Sequence, residues 1–258
     1  MAYAEDNLKE INEKYGEINH IHDKLLLQLM SFHQRLKNEK AREYLMQGVG
    51  RRIKTLTRCI NNIFTIFPAD RVEHLLPEYL TDVTINLHAF FINIAGLFDN
   101  LGWVFVYEND LLGKTEDGKI DKKGVGLFNR RTQDHLKIEL KNYLNSDPIK
   151  SWNEDYSKNY RDSLAHRIPL YVPPSVLNKS EENEFKDLEG QIQTLDFWNP
   201  ADITKYDELC KRQEKLGKAS LFFAHSLNED SRPVYFHAQI IADYLTVEEI
   251  IYKFCGNF

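Results

Sequence analysis

Cysteine is scarce in this chain and poorly placed for cross-linking. The three residues, Cys59, Cys210 and Cys255, are odd in number, far apart, and include no C-x-x-C pair. That spacing excludes a disulfide framework and a thiolate metal site, and it suits the reducing cytoplasm. A basic excess is also missing. With 33 Lys and Arg against 39 Asp and Glu, the net charge is −6. Non-specific nucleic-acid affinity comes mainly from lysines and arginines neutralising phosphates, so a broad nucleic-acid surface is excluded and only a small local basic site is compatible. The short clusters Arg51-Arg52, Lys122-Lys123 and Arg130-Arg131 read first as solvated surface. A long unbroken apolar run is lacking as well. The longest apolar stretch, about 89–106, is interrupted by Asn93, Asp99 and Asn100. It reads as a core helix rather than a bilayer span, and no membrane partner is expected. The first residues lack the basic start and apolar run of a signal peptide, so a cytoplasmic protein is expected.

What the chain does have is length and apolar periodicity. At 258 residues and 42% hydrophobic content it can fill a proper core without staples. Apolar residues at helical spacing (Leu8, Ile11, Tyr15, Ile18, Leu25, Leu29, Phe32, Leu36) predict one long amphipathic helix over about 6–46. Gly48 and Gly50 mark an expected break. Ile53, Leu56, Ile60, Ile63, Phe64 and Phe67 then define a second helix ending at Pro68. A third begins near Pro77, since proline is accepted in a first turn, and runs to about 107 as the most apolar and central element. Helices follow over about 130–144 and 148–167.

Pro169, Pro173 and Pro174 impose an extended strap over 169–176, whose Leu170, Tyr171 and Val172 should pack on something. Helices at about 181–195 and 201–216 come next. Segments 220–227 and 233–236, flanking 228–231, could pair as a small hairpin before a last helix reaching Phe254. No repeat, low-complexity tract or Pro/Gly/Ser-rich linker divides the sequence. The expected fold is all-α: a single elaborated helical domain over 1–258.

Several catalytic classes fail on spacing. The segment 113–124 superficially looks like a calcium loop. Aligning Gly118 with the required glycine, however, puts Gly113 at the first carboxylate and Gly124 at the closing glutamate. His20 and His22 diverge on a helix, and no H-E-x-x-H occurs, so no metal is expected. Gly48-Val49-Gly50 and Gly124-Val125-Gly126 lack the third glycine of a dinucleotide loop, and no cofactor is expected. Ser163 has no glycine-flanked elbow. The aromatic C-terminal third (Trp198, Tyr206, Phe222, Phe223 and others to Phe258), with His225 and His237 among them, reads as core.

One hexapeptide stands out, Arg161-Asp162-Ser163-Leu164-Ala165-His166. Residues four apart lie about 40° apart around a helix, so Asp162 and His166 share a face and can touch. Arg161 points about 100° away at its Cα, but its long side chain can swing in. A fixed cation, a carboxylate and an imidazole together suit phosphate chemistry, with arginine clamping oxygens and histidine moving protons near neutral pH. A plain helix C-terminus, with Arg161, His166 and Arg167 complementing the dipole, is the simpler alternative.

The run Tyr160-Arg161-Asp162-Ser163-Leu164-Ala165-His166-Arg167-Ile168-Pro169 resembles the signature of the HEPN superfamily: arginine, a polar residue, a few variable positions and histidine on a late helix of a small bundle. Asp162 departs from that pattern, since asparagine is commoner there. An acid would hold and charge the imidazole but would repel a phosphate. Leu97-Phe98-Asp99-Asn100-Leu101 is similar to the family's bundle helix whose polar residues face the motif, and a buried Asp99 would need Arg161 as its partner.

The resemblance covers roughly 72–172 as a HEPN-like core, leaving the long N-terminal helices and a C-terminal extension, 175–258. It implies a metal-independent ribonuclease acting in stress or phage defence. Arg161, Asp162 and His166 would be catalytic and Asp99, Asn100 and Tyr160 supporting. It also implies a homodimer bringing two motifs into one cleft, with RNA or a nucleotide as ligand and an antitoxin or other protein as a further partner. The alternative it leaves open is a non-catalytic HEPN-like binding protein.

Overall fold

The computed structural model describes residues 3–113, 117–226 and 233–258. The chain is mostly helical. Helix α1 (Glu5–Arg35) presents Ile11, Ile18, Ile21, Leu25, Leu29 and Phe32 on one buried stripe. It stops earlier than periodicity suggests, because Leu36 turns extended while remaining buried. Asn38 then caps α2 (Glu39–Glu43), its side-chain oxygen accepting from the N–H groups of Lys40 at 2.9 Å and Ala41 at 3.2 Å. The Glu108 carboxylate accepts from the backbone of Lys37 at 2.8 Å and Asn38 at 2.9 Å, tying this corner to the end of a helix seventy residues on. The expected break at Gly48 and Gly50 is absent. Both glycines lie in a π-helical turn (Tyr44–Gly50) that runs without interruption into α3 (Arg51–Ile66).

Helix α4 (Pro77–Glu108) starts on its proline and buries Val83, Leu87, Phe90, Phe91, Ile94, Leu97, Leu101 and Val104, packing along α3. Among the described residues it is the one helix long and apolar enough to cross a bilayer, and it sits inside the bundle instead, with 56% of its most apolar window buried. Two short helices, α5 (Arg130–Gln133) and α6 (Ile138–Leu144), occupy the region where one was expected. Helix α7 (Asp147–Ser151) passes through a second π turn (Trp152–Ser157) into α8 (Lys158–His166).

The proline strap beyond α8 packs as expected: Leu170 and Val172 are buried, and Tyr171 exchanges two backbone hydrogen bonds with Ala224. His88 Nε2 donates to the Leu170 carbonyl at 2.8 Å. Helices α9 (Lys179–Gln193) and α10 (Pro200–Gln213) pack chiefly on each other. Strands β1 (Phe222–Phe223) and β2 (Val234–Tyr235) pair antiparallel with Phe222 opposite Tyr235; the intervening 228–231 lies outside the described residues. The last helix, α11 (Phe236–Gly256), packs on α1, with Phe254 and Phe32 edge to face at 5.9 Å. A single apolar cluster extends from Ile11 to Cys255.

Candidate functional site

Helix α8 is aimed by the π turn before it. Trp152 and Tyr156, four apart, both reach Asp243 of α11: the indole Nε1 and the phenol each donate to a carboxylate oxygen at 2.8 Å. Gln239 Nε2 adds a third bond at 2.8 Å. Asp243 is fully buried, and burial pushes its pKa up to about 6 although the three donors oppose the shift. The ring of Tyr160 stacks on Phe91 of α4 at 5.2 Å and meets Phe223 at 4.9 Å. The Ser163 hydroxyl is buried and donates to the Tyr160 carbonyl at 2.7 Å. With Tyr160 and Ser163 facing inward, Arg161 is left to point along the flank of α4.

Arg161 enters a cleft of 340 Å³ lined among others by Asp99, Lys123, Asn129, Asn153, Lys158 and Arg161 itself. Its Nη1 lies 3.1 Å from Asp162 Oδ1, while its Nε–H is buried with no hydrogen-bond partner. An unsatisfied guanidinium donor in a polar cleft is a group in want of an acceptor. Desolvation raises the Asp99 carboxyl, even though its surface stays open to solvent, and the Arg161 and Arg52 cations pull the other way. Asp99 and Arg161 thus act on each other electrostatically without forming an ion pair.

The loop that supplies Lys123 and Asn129 lies directly on α4. A Cβ at Gly102 would sit 2.6 Å from the Gly126 Cα, and Leu127 donates its N–H to the Phe98 carbonyl at 3.2 Å. Thr132 fastens the same loop, donating to the Gly124 carbonyl at 2.9 Å and accepting from Gly126 N–H at 3.3 Å.

The structure brings together fewer of the expected site residues than spacing suggests. Asp162 does not touch His166; it pairs with the neighbouring Arg161. His166 is exposed on the last turn of α8, outside the residues lining the cleft, and its side chain makes no hydrogen bond among the described residues. Asn100 faces away from Arg161 altogether, its Oδ1 accepting from Arg52 Nε at 3.0 Å. Tyr160 supports the helix from within the aromatic core. His225 and His237 are both buried: His225 meets Tyr160 edge on at 5.5 Å, and His237 Nε2 donates to the Phe67 carbonyl at 2.6 Å.

Sequence reasoning missed Lys123, Asn129, Asn153 and Lys158. Two of them carried a local signal: Lys158 lies three residues before Arg161 on the same helix, and Lys123 belongs to the basic pair Lys122-Lys123 that read as solvated surface. No group of three or more His, Cys, Asp or Glu side chains suited to a metal occurs among the described residues. The cleft sets Arg161, Lys123 and Lys158 against the acids Asp99 and Glu154, so what it can do chemically is hold an anion on its arginine and lysine side. Comparison of the chain with known protein families, curated proteins and solved structures gives no match, so the reading of this cleft rests on its own geometry.

Proposed function

We propose that this chain is a HEPN-like protein that binds RNA through a phosphate seated at Arg161 and, as a cytoplasmic homodimer, cleaves it without a metal in stress or phage defence. The observation that carries the reading is the buried, unpartnered Nε–H of Arg161 in a cleft shared with Lys123 and Lys158. Arg161 stabilises the charged phosphorane, and His166 moves the proton, either from the ribose 2′-hydroxyl or to the leaving oxygen. Because His166 projects from the helix end rather than into its own cleft, a second chain is needed to complete the site.

The test is incubation of purified protein with RNA in EDTA beside His166→Ala and Arg161→Ala variants. Wild-type cleavage should fall by roughly 10²-fold or more in each variant, the scale of lost acid–base or electrostatic catalysis. Cleavage that both variants retain would sink the site. A second reading, non-catalytic binding of RNA, a nucleotide or a protein partner, is favoured by one observation: Asp162 already neutralises part of the Arg161 charge. Absence of cleavage over many RNAs, with undiminished binding, selects it.

A further inference from the structure

On the other side of α4 a second arginine is held with more care than the first. Arg52, in the first turn of α3, donates from Nε to Asn100 Oδ1 at 3.0 Å and from Nη1 to Asn93 Oδ1 at 2.9 Å. Asn93 is oriented for this by its own amide, whose Nδ2 donates to the Ala89 carbonyl at 2.7 Å. Two glycines make room: a Cβ at Gly96 would collide with the Arg52 guanidinium, and one at Gly48 would lie 2.8 Å from the Asn100 amide carbon. Four residues on α4 and the π turn are therefore arranged around one guanidinium.

Both of its acceptors are neutral amides. Among the described residues Arg52 forms no ion pair, and these two bonds use only part of its five N–H donors. No ion pair answers its charge, which Asp99 meets only electrostatically, and its orientation is fixed. It opens into a cleft of 430 Å³ lined by Gln47, Gly48, Arg51, Arg52, Thr55, Asn93 and Asn100, with two arginines and no acid. Gln47, Arg51 and Thr55 recur at intervals of four and so share one helical face above it. A strut between two helices has no use for an unpaired cation, whereas a forked, pre-oriented guanidinium beside a second arginine matches the oxygens of a phosphate group.

We propose that the Arg51/Arg52 cleft is a second anion site that binds a phosphate group, either of an RNA strand or of a free phosphomonoester. For the RNA arm the inference rests on the proposed function above; for the phosphomonoester arm it stands alone. In the RNA case one strand crosses α4, with one phosphate at Arg161 and another at Arg52.

The test uses the full chain and the variants Arg52→Gln, Arg51→Gln and Arg161→Gln, each first checked for an unchanged circular dichroism spectrum and thermal midpoint. Inorganic phosphate and AMP are titrated by calorimetry, and a labelled single-stranded oligouridylate by anisotropy at several salt concentrations. Losing one strand-phosphate contact should lower the salt slope by about 0.7 and weaken oligouridylate binding several-fold in Arg52→Gln. Should Arg52→Gln fail to fold, Arg51→Gln carries the same expectation at the rim of the cleft.

Loss of phosphate or AMP binding in Arg52→Gln but not in Arg161→Gln supports the site even if no RNA is cleaved. RNA affinity and slope that fall in Arg161→Gln but stay at wild-type values in both Arg51 and Arg52 variants, with phosphate and AMP binding also unchanged, overturn the second site while leaving the first reading intact. No measurable binding of any probe by wild type overturns both.

Discussion

The two flanks of α4 hold an arginine by opposite means. On the Arg161 side the framework is set by backbone packing and a buried side-chain network: the 125–129 loop lies on Gly102, and the helix carrying the arginine is tied to α11 by Trp152 and Tyr156 through the buried Asp243 carboxylate. On the Arg52 side the surroundings are side chains, two asparagine amides and the space left by Gly96. Arg161 has part of its charge answered by the ion pair with Asp162, whereas Arg52 has no ion pair among the described residues and meets Asp99 only electrostatically. The first arrangement is stiff and sensitive to packing and pH. The second is held by side chains alone and should respond to ligand and salt.

The sharpest way to break this contrast is Gly102→Ala. The added methyl would meet Gly126 backbone at 2.6 Å, and backbone cannot swing aside, so a loss at the top of the overpacking range, about 3 kcal/mol, is expected in urea denaturation. A loss below about 1 kcal/mol would show that the loop is not seated as described.

Next in size is a pH effect confined to the Asp243 side. Its carboxyl is raised from 3.8 to about 6, so the native state keeps a proton that the unfolded chain releases. That contribution is complete below pH 3.8 and is lost as pH rises through about 6. His237, on the same helix, is lowered from 6.5 to about 4, chiefly by burial. Its contribution is complete above pH 6.5 and is lost as pH falls through about 4. Each shift is worth roughly 3 kcal/mol and the slopes oppose. Asp243→Asn should therefore leave a stability that climbs between pH 4 and 6.5, and His237→Gln one that declines, relative to wild type. Curves for wild type and Asp243→Asn that run parallel would remove Asp243 from this account.

Smaller is Asn100→Ala, which removes one charge-assisted bond to Arg52 and should cost about 1–2 kcal/mol. The smallest effect belongs to Gly96→Ala. There the collision is with the far end of a long side chain rather than with backbone, and the gain in helix propensity of about 1 kcal/mol offsets much of the strain. A Gly96→Ala loss as large as that of Gly102→Ala would erase the distinction between the two flanks.

Periodicity made the main helices readable because their apolar stripes are long: α4 and α11 each bury eleven or more residues at regular spacing. It missed the corner at 36–38 because Leu36 and Ala41 continue the buried face across the break, and the stop signal is a side-chain cap from Asn38 with help from Glu108, far away in sequence. The Arg161 helix was legible as a motif, but its contacts were not. Spacing gives Cα directions, and the adjacent Arg161 reached Asp162 where His166 did not. Asp99 and Asn100, being consecutive, leave α4 about 100° apart, and in the structure Asn100 turns to Arg52 instead of Arg161. Lys123 and Asn129 join the cleft from a loop through tertiary contact, and Arg52 looked like solvated surface because nothing local reveals that Asn93 and Asn100 meet it.

The two π turns give the chain a particular sensitivity to length. Each closes its hydrogen bonds one residue later than an α turn, so each accommodates a residue that an ordinary helix would have no place for. Removing one residue within either turn would restore regular α geometry there and leave the flanking parts of the helix close to their present mutual rotation, because the wide turn absorbs the extra residue. The same deletion in the α-helical turns on either side has no such slack and would rotate the flanking parts by about 100°, carrying Gly48 away from Asn100 near the first turn and Trp152 and Tyr156 away from Asp243 near the second. Point substitutions at these sites test single contacts, whereas one-residue deletions inside a turn, which it can absorb, and just beside it, which would re-aim the helix, test how the length of the chain keeps each arginine with the helix that positions it.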